Sequence, residues 1–487
     1  MTGPMISIPT QDSEPAIAFG TSGLRGRAEG FTKAAVFAHV AAFLDTACGA
    51  SAARRVVIGR DLRQSSPQIA GLVGGAVRAL GWEPVNGGTV PTPALAAYAL
   101  ARNLPAIMVT GSHIPADYNG LKFYRPEGEL LKADEAPIRD KVARGEGGIP
   151  EFAPELGPEE PGVARDYVRR YLDAVGADTL AGLRIGVFEH SAVGRDLLAE
   201  ILAGLGAECV ALGRSDMFVA VDTEAVEPHT LAMLRAAVAR EGFDAVVSAD
   251  GDGDRPLLID ATGRQINGDV LGALTARWLG AETVLTPLTS TSAVEASGWF
   301  TNVIRTRIGS PYVVEAMAAV DGAGVVGFEA NGGFLTGSVF ALGPGTLGSG
   351  TLSPLPTRDA VLPLIGVLAE ARARGVSVAD LAAQLPRRVM AADRLKQIAP
   401  DRGQAFVEAM ARSAQMRGDI DAVLNRPVAI DTTDGTRLVL GEGRIVHFRQ
   451  SGNAPELRCY VETASAAQTE ALLARLMARL AAHFQTE

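Results

Sequence analysis

The chain is 487 residues long, 47% hydrophobic, 21% charged and only 5% aromatic, and it carries a formal net charge of −10. That length exceeds one ordinary core and predicts about three or four domains, with clefts between them. The acidic balance excludes non-specific nucleic-acid binding, which needs a basic surface to displace counterions, so an anionic ligand must meet a local cluster of arginine and lysine.

The opening stretch MTGPMISIPTQDSEPAIAF has no basic start leading into an apolar segment, so no secretory signal is expected. No apolar run reaches the roughly 18 residues of a membrane span before Gly, Pro or charge interrupts it. Cys48, Cys209 and Cys459 are odd in number, far apart and without CxxC spacing. A soluble protein of a reducing cytoplasm is expected, with neither membrane nor nucleic acid as partner.

In chain order, RRVVIG predicts a strand, PQIAGLVGGAVRALG a helix and PAIMVTG a further strand. The rhythm returns with GLRIGVFE, RDLLAEILAGLG, AECVAL, LAMLRAAVAREG and FDAVVSAD, and again with ETVLTPL, SPYVVEAMAAV and GVVGFE. Such alternation predicts α/β layers with largely parallel pairing. Three blocks of one rhythm suggest an internal structural repeat. A linker dense in Pro, Gly and Glu, residues 145–163, separates the first block from the second. Past Leu385-Pro386 the pattern becomes VAIDTTDGTRLVLGEGRIVHFRQ, whose alternation and DG and EG turns predict antiparallel strands, closed by the helix AAQTEALLARLMARLAAHF.

Three stretches could carry chemistry. In VTGSHIPADYNGLKFY, Ser112 follows a strand, where α/β folds place ligands, and His113 and Lys122 lie near enough in sequence to handle protons or a phosphate. The alternative is a serine turn. A serine-hydrolase elbow is excluded, because Ile114 stands where its second glycine belongs. In FDAVVSADGDGDRP, Asp250, Asp252 and Asp254 are interleaved with glycines, and three carboxylates so close repel one another unless a cation joins them. Few carboxylates plus a phosphate suit Mg²⁺, the alternative being a solvated acidic turn. An EF-hand is excluded, since Arg255 occupies its glycine position and Ala261 its bidentate glutamate position. In RQSGNAPELR, Arg449, Ser451, Asn453 and Arg458 surround Gly452, which lets the backbone fold around an anion; the alternative is a surface hairpin carrying ordinary charge. Gly322, Gly324 and Gly327 spell a dinucleotide fingerprint, but they follow a helix and lead into a strand, the reverse of what that motif requires.

The ordered series FGTSGLRG, GRDLRQSS, PTPAL, TGSHIPADYNGLKF, DGDGDR, RIGSPYV, GFEANGG and RQSGNAPELR resembles the α-D-phosphohexomutases over nearly the whole chain. The resemblance implies four domains around a central cleft: three α/β domains of similar topology with mixed sheets, and a C-terminal α+β domain. The expected boundaries are 1–155, 156–265, 266–386 and 387–487. It implies that Ser112 carries a phosphoryl group and joins Asp250, Asp252 and Asp254 around one Mg²⁺. Arg25 and Lys122, with His113 beside the serine, fall where the family handles protons. Glu329 and Asn331 would contact sugar hydroxyls, and Arg255 would bind substrate. Arg449, Ser451, Gly452, Asn453 and Arg458 would grip the phosphate not being transferred.

Three departures stand out: Ile114 in place of the usual amide, Asn331-Gly332-Gly333 in place of Ser-Gly-His, and Asn453-Ala454 in place of Thr-Glu. The implied reaction interconverts hexose 6-phosphate and hexose 1-phosphate through a hexose 1,6-bisphosphate, which serves as intermediate and activator. Mannose phosphates are the expected substrates, with glucose phosphates or both as the alternative, and the protein is expected as a monomer or homodimer. A sugar-phosphate phosphatase would instead release stoichiometric phosphate, and a non-catalytic binding protein would yield no isomerised product.

Overall fold

In the computed structural model, which describes residues 17–48, 53–145, 148–343, 348–452 and 454–486, the first block folds as a seven-stranded sheet. Its strands are β1 (Ala18–Phe19), β2 (Leu24–Arg27), β3 (Arg55–Arg60), β4 (Glu83–Thr89), β5 (Ala106–Val109), β6 (Tyr118–Arg125) and β7 (Gly128–Glu129). They run in the order β1-β2-β6-β5-β3-β4, with β7 on β6. The second sheet holds β8 (Arg184–Phe188), β9 (Glu208–Leu212), β10 (Ala245–Ala249), β11 (Pro256–Asp260) and β12 (Gln265–Ile266), ordered β12-β11-β10-β8-β9.

The third block supplies β13 (Thr283–Pro287), β14 (Asn302–Thr306), β15 (Val325–Phe328) and β16 (Phe334–Thr336), then the small pair β17 (Phe340–Ala341) and β18 (Thr351–Leu352), then β19 (Leu355–Asp359). Its main sheet is ordered β14-β13-β15-β16-β19. The triple glycine pattern at 322–327 follows the helix Ser310–Ala318 and runs into β15, which holds Gly327, so it has the helix-to-strand order expected.

These sheets share one device. β5, β10 and β15 each pair in parallel with the preceding core strand, β3, β8 or β13, and each turns into an antiparallel neighbour, β6, β11 or β16. Pairing is therefore mixed, not largely parallel. The corner between the two strands is occupied in turn by the Ser112 loop, the Asp250–Asp254 loop and the Glu329–Gly333 loop. The repeat suggested by the rhythm is one of topology, and it delivers one functional loop per sheet.

The last sheet is antiparallel, with β20 (Val389–Lys396), β21 (Ala429–Asp431), β22 (Thr436–Val439), β23 (Ile445–Gln450) and β24 (Glu456–Thr463) ordered β20-β24-β23-β22-β21. The helices Pro400–Arg412 and Ala414–Ile420, unanticipated in the sequence, join the long helix Ala466–Thr486 on one face. That face has its own core, including Phe406, Met410, Leu438, Phe448 and Leu476. Phe406 and Phe448 meet edge to face at 5.6 Å, and truncating such a buried ring costs about 3–5 kcal/mol. The first three units instead share a continuous core: Val57, Tyr167, Val187, Leu274 and Phe328 belong to a single cluster. Among the described residues, no helix is long and apolar enough to cross a membrane.

Candidate active site

Ser112 is fully buried and takes a left-handed backbone conformation, φ 54°, unusual for a residue with a side chain. Both sides of it are pinned. Its N–H donates to Thr110 Oγ1 at 2.8 Å, and its carbonyl accepts from Arg63 Nη2 at 2.9 Å. Arg63, itself buried, also donates to the carbonyls of Ile114, Pro115 and Tyr118, so one guanidinium supports the whole loop. Asp61 holds Arg63 through Nε at 3.2 Å and also accepts from Thr110 and Ser66. Phe218, from the second domain, covers the guanidinium with its ring centroid 4.0 Å away. Gly111 is required here, since a Cβ would lie 2.5 Å from the guanidinium carbon.

The serine side chain meets the carboxylate loop directly. Ser112 Oγ donates to Asp250 Oδ2 at 2.7 Å. Gly251 lets the loops approach, because a Cβ there would come within 2.6 Å of the Ser112 carbonyl oxygen. Asp250, Asp252 and Asp254 are all buried, and their candidate ligand atoms lie within 4.8 Å of one another. Part of the repulsion expected from sequence is met by the protein itself: Lys122 Nζ donates to Asp252 at 2.5 Å and to Asp254 at 2.6 Å. Thr92 Oγ1 adds a bond to Asp252 at 2.6 Å.

Oδ1 of Asp252 and Oδ1 of Asp254 nonetheless remain buried without hydrogen-bond partners among the described residues. Orphaned carboxylate oxygens are costly, and oxygen donors of this kind suit a hard cation. The donor set thus fits a metal ion, held by the three aspartates with Ser112 beside them. Burial and the neighbouring Asp252 and Asp254 push the Asp250 carboxyl well above the usual range. Burial works in the same direction at Asp252, but Lys122 overrides it and holds that group below the usual range.

Arg358, on β19, joins two of the loops. Nη2 donates to Asp254 at 2.7 Å and Nη1 to Glu329 Oε2 at 2.9 Å, all within buried surroundings. Asn331 Oδ1 accepts from the Gly333 N–H, shaping the loop that presents Glu329. His113 Nδ1 lies 3.0 Å from Arg255 Nη1 and 3.4 Å from Ser112 Oγ. Burial and then Arg255 lower His113 to about 4, so it is neutral near pH 7. Arg25, on β2, is pulled down to about 10 by burial and by Arg255, with Arg358 acting in the same direction.

The tail residues form a separate group. Arg449 Nε donates to Asp434 at 2.9 Å, and Asp434 accepts the Ile308 N–H at 3.0 Å, tying the last domain to the third. Ser451 is buried, and its N–H bonds the Glu456 carbonyl; Gly452 leaves open space around its Cα; Arg458 is half-exposed on β24. Asn453 lies outside the described residues. Sequence reasoning assigned no role to Asp61, Arg63, Thr92 or Arg358. The first three stand inside GRDLRQSS and PTPAL, whereas Arg358 carries no local signal at all.

A serine and a metal-ready carboxylate cluster, buried where three repeated α/β units meet, define a phosphoryl-transfer enzyme built on a four-domain scaffold. Family models agree in every domain. Domains I, II and III of the phosphoglucomutase/phosphomannomutase alpha/beta/alpha type match residues 16–147, 165–263 and 267–389, and its C-terminal domain matches 393–479. The chain belongs to the phosphoglucomutase/phosphomannomutase family, and it is an intramolecular phosphotransferase. It is 42% identical to a phosphomannomutase of Sinorhizobium fredii over 95% of this chain and 98% of that one. A phosphomannomutase of Salmonella muenchen is 38% identical over 93% of each. A phosphoglucomutase/phosphomannomutase family protein of Burkholderia thailandensis superposes with a TM-score of 0.74 at 21% identity, covering 95% of this chain and 97% of that one.

Proposed function

We propose that this protein interconverts mannose 6-phosphate and mannose 1-phosphate, through a phosphorylated Ser112 and a hexose 1,6-bisphosphate, with glucose phosphates as poorer alternative substrates. The observation that carries the reading is the 2.7 Å bond from Ser112 Oγ to Asp250, inside a carboxylate cluster with two buried oxygens that have no hydrogen-bond partner among the described residues. The choice of mannose rests on the two relatives, both phosphomannomutases.

Asp250, Asp252 and Asp254 are proposed to hold Mg²⁺. When bound, the ion supplies neutralisation of phosphoryl oxygens, whose charge otherwise prevents transfer from serine. The remaining work falls to the chain. Arg25, whose proton affinity burial and Arg255 lower, is the group proposed to handle the proton of the attacking sugar hydroxyl. Lys122 balances Asp252 and Asp254 and returns a proton to the serine oxygen. His113 orients Ser112, and Arg255 holds His113 and contacts substrate. Glu329 and Asn331 bind sugar hydroxyls. Arg449, Ser451, Gly452, Asn453 and Arg458 grip the phosphate not transferred, so either end of the bisphosphate can face the serine.

Intact mass spectrometry of the purified protein tests the nucleophile: a phosphate adduct is expected and is absent in Ser112→Ala, with turnover reduced by orders of magnitude. Comparing kcat/KM for mannose 1-phosphate and glucose 1-phosphate tests the sugar. A fully active alanine variant sinks the mechanism, and a preference for glucose overturns only the substrate.

A further inference from the structure

Away from the serine cluster, positive charge is crowded on the last domain. Arg394 of β20 stands opposite Arg458 of β24, which in turn stands opposite Arg449 of β23. Residues paired in this way share one face of the sheet, with Cβ atoms about 4.5–5.5 Å apart, and like charges so placed are destabilising. Their neighbours Leu395, Leu457, Cys459 and Phe448 pack into the domain core, so the arginine row faces away from the helices. Arg394 has no place in any of the motifs read from the sequence.

The row is only partly neutralised. Asp434 serves Arg449 at 2.9 Å. Between the other two stands Glu456, whose Oε2 is 3.5 Å from Arg394 Nη1 and 3.7 Å from Arg458 Nη2. One carboxylate oxygen is shared by two guanidiniums, at distances too long for a strong bond to either. Arg458 Nε is buried and has no hydrogen-bond partner among the described residues, while the Arg394 and Arg458 side chains keep 50% and 36% of their surface exposed. A tetrahedral dianion offers the several acceptor oxygens that this row lacks.

We propose that Arg394 is a further guanidinium of the phosphate grip, and that Glu456 is an internal anion which occupies Arg394 and Arg458 until a phosphate dianion displaces it. The inference rests on the reading of the tail loop as the site for the non-transferring phosphate. Arg394 lies on β20, the first strand of the last sheet, so phosphate held there also draws on the strand that opens the last domain. Glu456 makes the grip selective: a single negative charge gains little by exchanging with a carboxylate, whereas a dianion gains a second charge-assisted contact.

The test measures KM and kcat with mannose 1-phosphate, and the competitive inhibition constant of inorganic phosphate, for full-length wild-type, Arg394→Gln, Arg458→Gln and Glu456→Gln proteins. Arg394→Gln is expected to raise KM and the phosphate inhibition constant by about fivefold or more, with kcat changed less than about twofold. Glu456→Gln is expected to lower the phosphate inhibition constant by about threefold. If Arg458→Gln raises both constants and Arg394→Gln raises neither, Arg394 is no part of the grip and this inference fails alone. If neither arginine variant moves them, the tail grip itself is overturned. A Glu456→Gln protein that binds phosphate no better than wild type removes the placeholder.

Discussion

Arg63 donates to the carbonyl of Ser112 at 2.9 Å, and through that bond a serine in a left-handed conformation is held to the carboxylate at the end of β3. A non-glycine residue in that region stores strain of about 1–3 kcal/mol, which persists only where surroundings over-determine it. Here Thr110 holds the N–H and Arg63 the C=O. Arg63→Lys keeps the charge beside Asp61 but loses the planar fork that reaches the carbonyls of Ser112, Ile114, Pro115 and Tyr118. Its kcat is expected to fall by about tenfold or more, with a lower melting temperature. Wild-type turnover from this variant means that the loop keeps its shape unaided.

Asp252 combines an unpartnered Oδ1 with bonds from Lys122 and Thr92 on Oδ2. Asp252→Asn removes one formal charge from the proposed cation cage and leaves Lys122 with Asp254 alone. Activity is expected to require about tenfold more Mg²⁺ for half-saturation, and kcat to fall as well. Titration of chelator-treated protein with MgCl₂ checks this; equal metal dependence in variant and wild type contradicts it.

Asp269 caps the turn at Thr291, whose N–H it accepts at 2.8 Å, and burial pushes its carboxyl up to about 6. A folded-state value above the unfolded one means that the native protein binds the extra proton. This contribution to stability is therefore fully present below about pH 4 and is lost as pH rises through about 6. Its span is at most about 3 kcal/mol. Urea unfolding at pH 5 and 7.5 should show a smaller loss of stability with rising pH for Asp269→Asn than for wild type. Parallel pH profiles count against the assignment.

The last domain has a core of its own, whereas the first three share one. A protein ending at residue 386 is expected to fold, with loss of the contacts that Glu462 makes to Thr291 and Ser292 and Asp434 makes to Ile308. It should retain cooperative melting and Ser112 labelling by a hexose bisphosphate, yet isomerise hexose phosphates at least about a hundredfold more slowly. Efficient isomerisation by the truncated chain relocates the phosphate grip.

Local signals were legible in the sequence because their causes are local. Strand and helix rhythm follows from side-chain periodicity, and Asp250, Asp252 and Asp254 sit close together in any fold that keeps their loop tight. The serine's place at a strand end, the antiparallel last domain and the reversed glycine fingerprint were readable on the same grounds. The helices Pro400–Arg412 and Ala414–Ile420 went unread, although Phe406, Val407 and Met410 recur at helical spacing.

What only the tertiary structure decided lies in partners far apart along the chain. Arg358 reaches Asp254 from 104 residues away, Arg63 reaches Ser112 from 49, and Lys122 reaches Asp252 from 130. A single arginine on a strand looks the same in sequence whether it faces water or a buried carboxylate. The return of β6, β11 and β16 as antiparallel neighbours brings three such loops to equivalent corners. The sequence determined which residues could do chemistry, through the types and spacings it set within each loop. Sheet pairing and domain packing determined which of them meet, because burial and charge pairing are properties of neighbours in space.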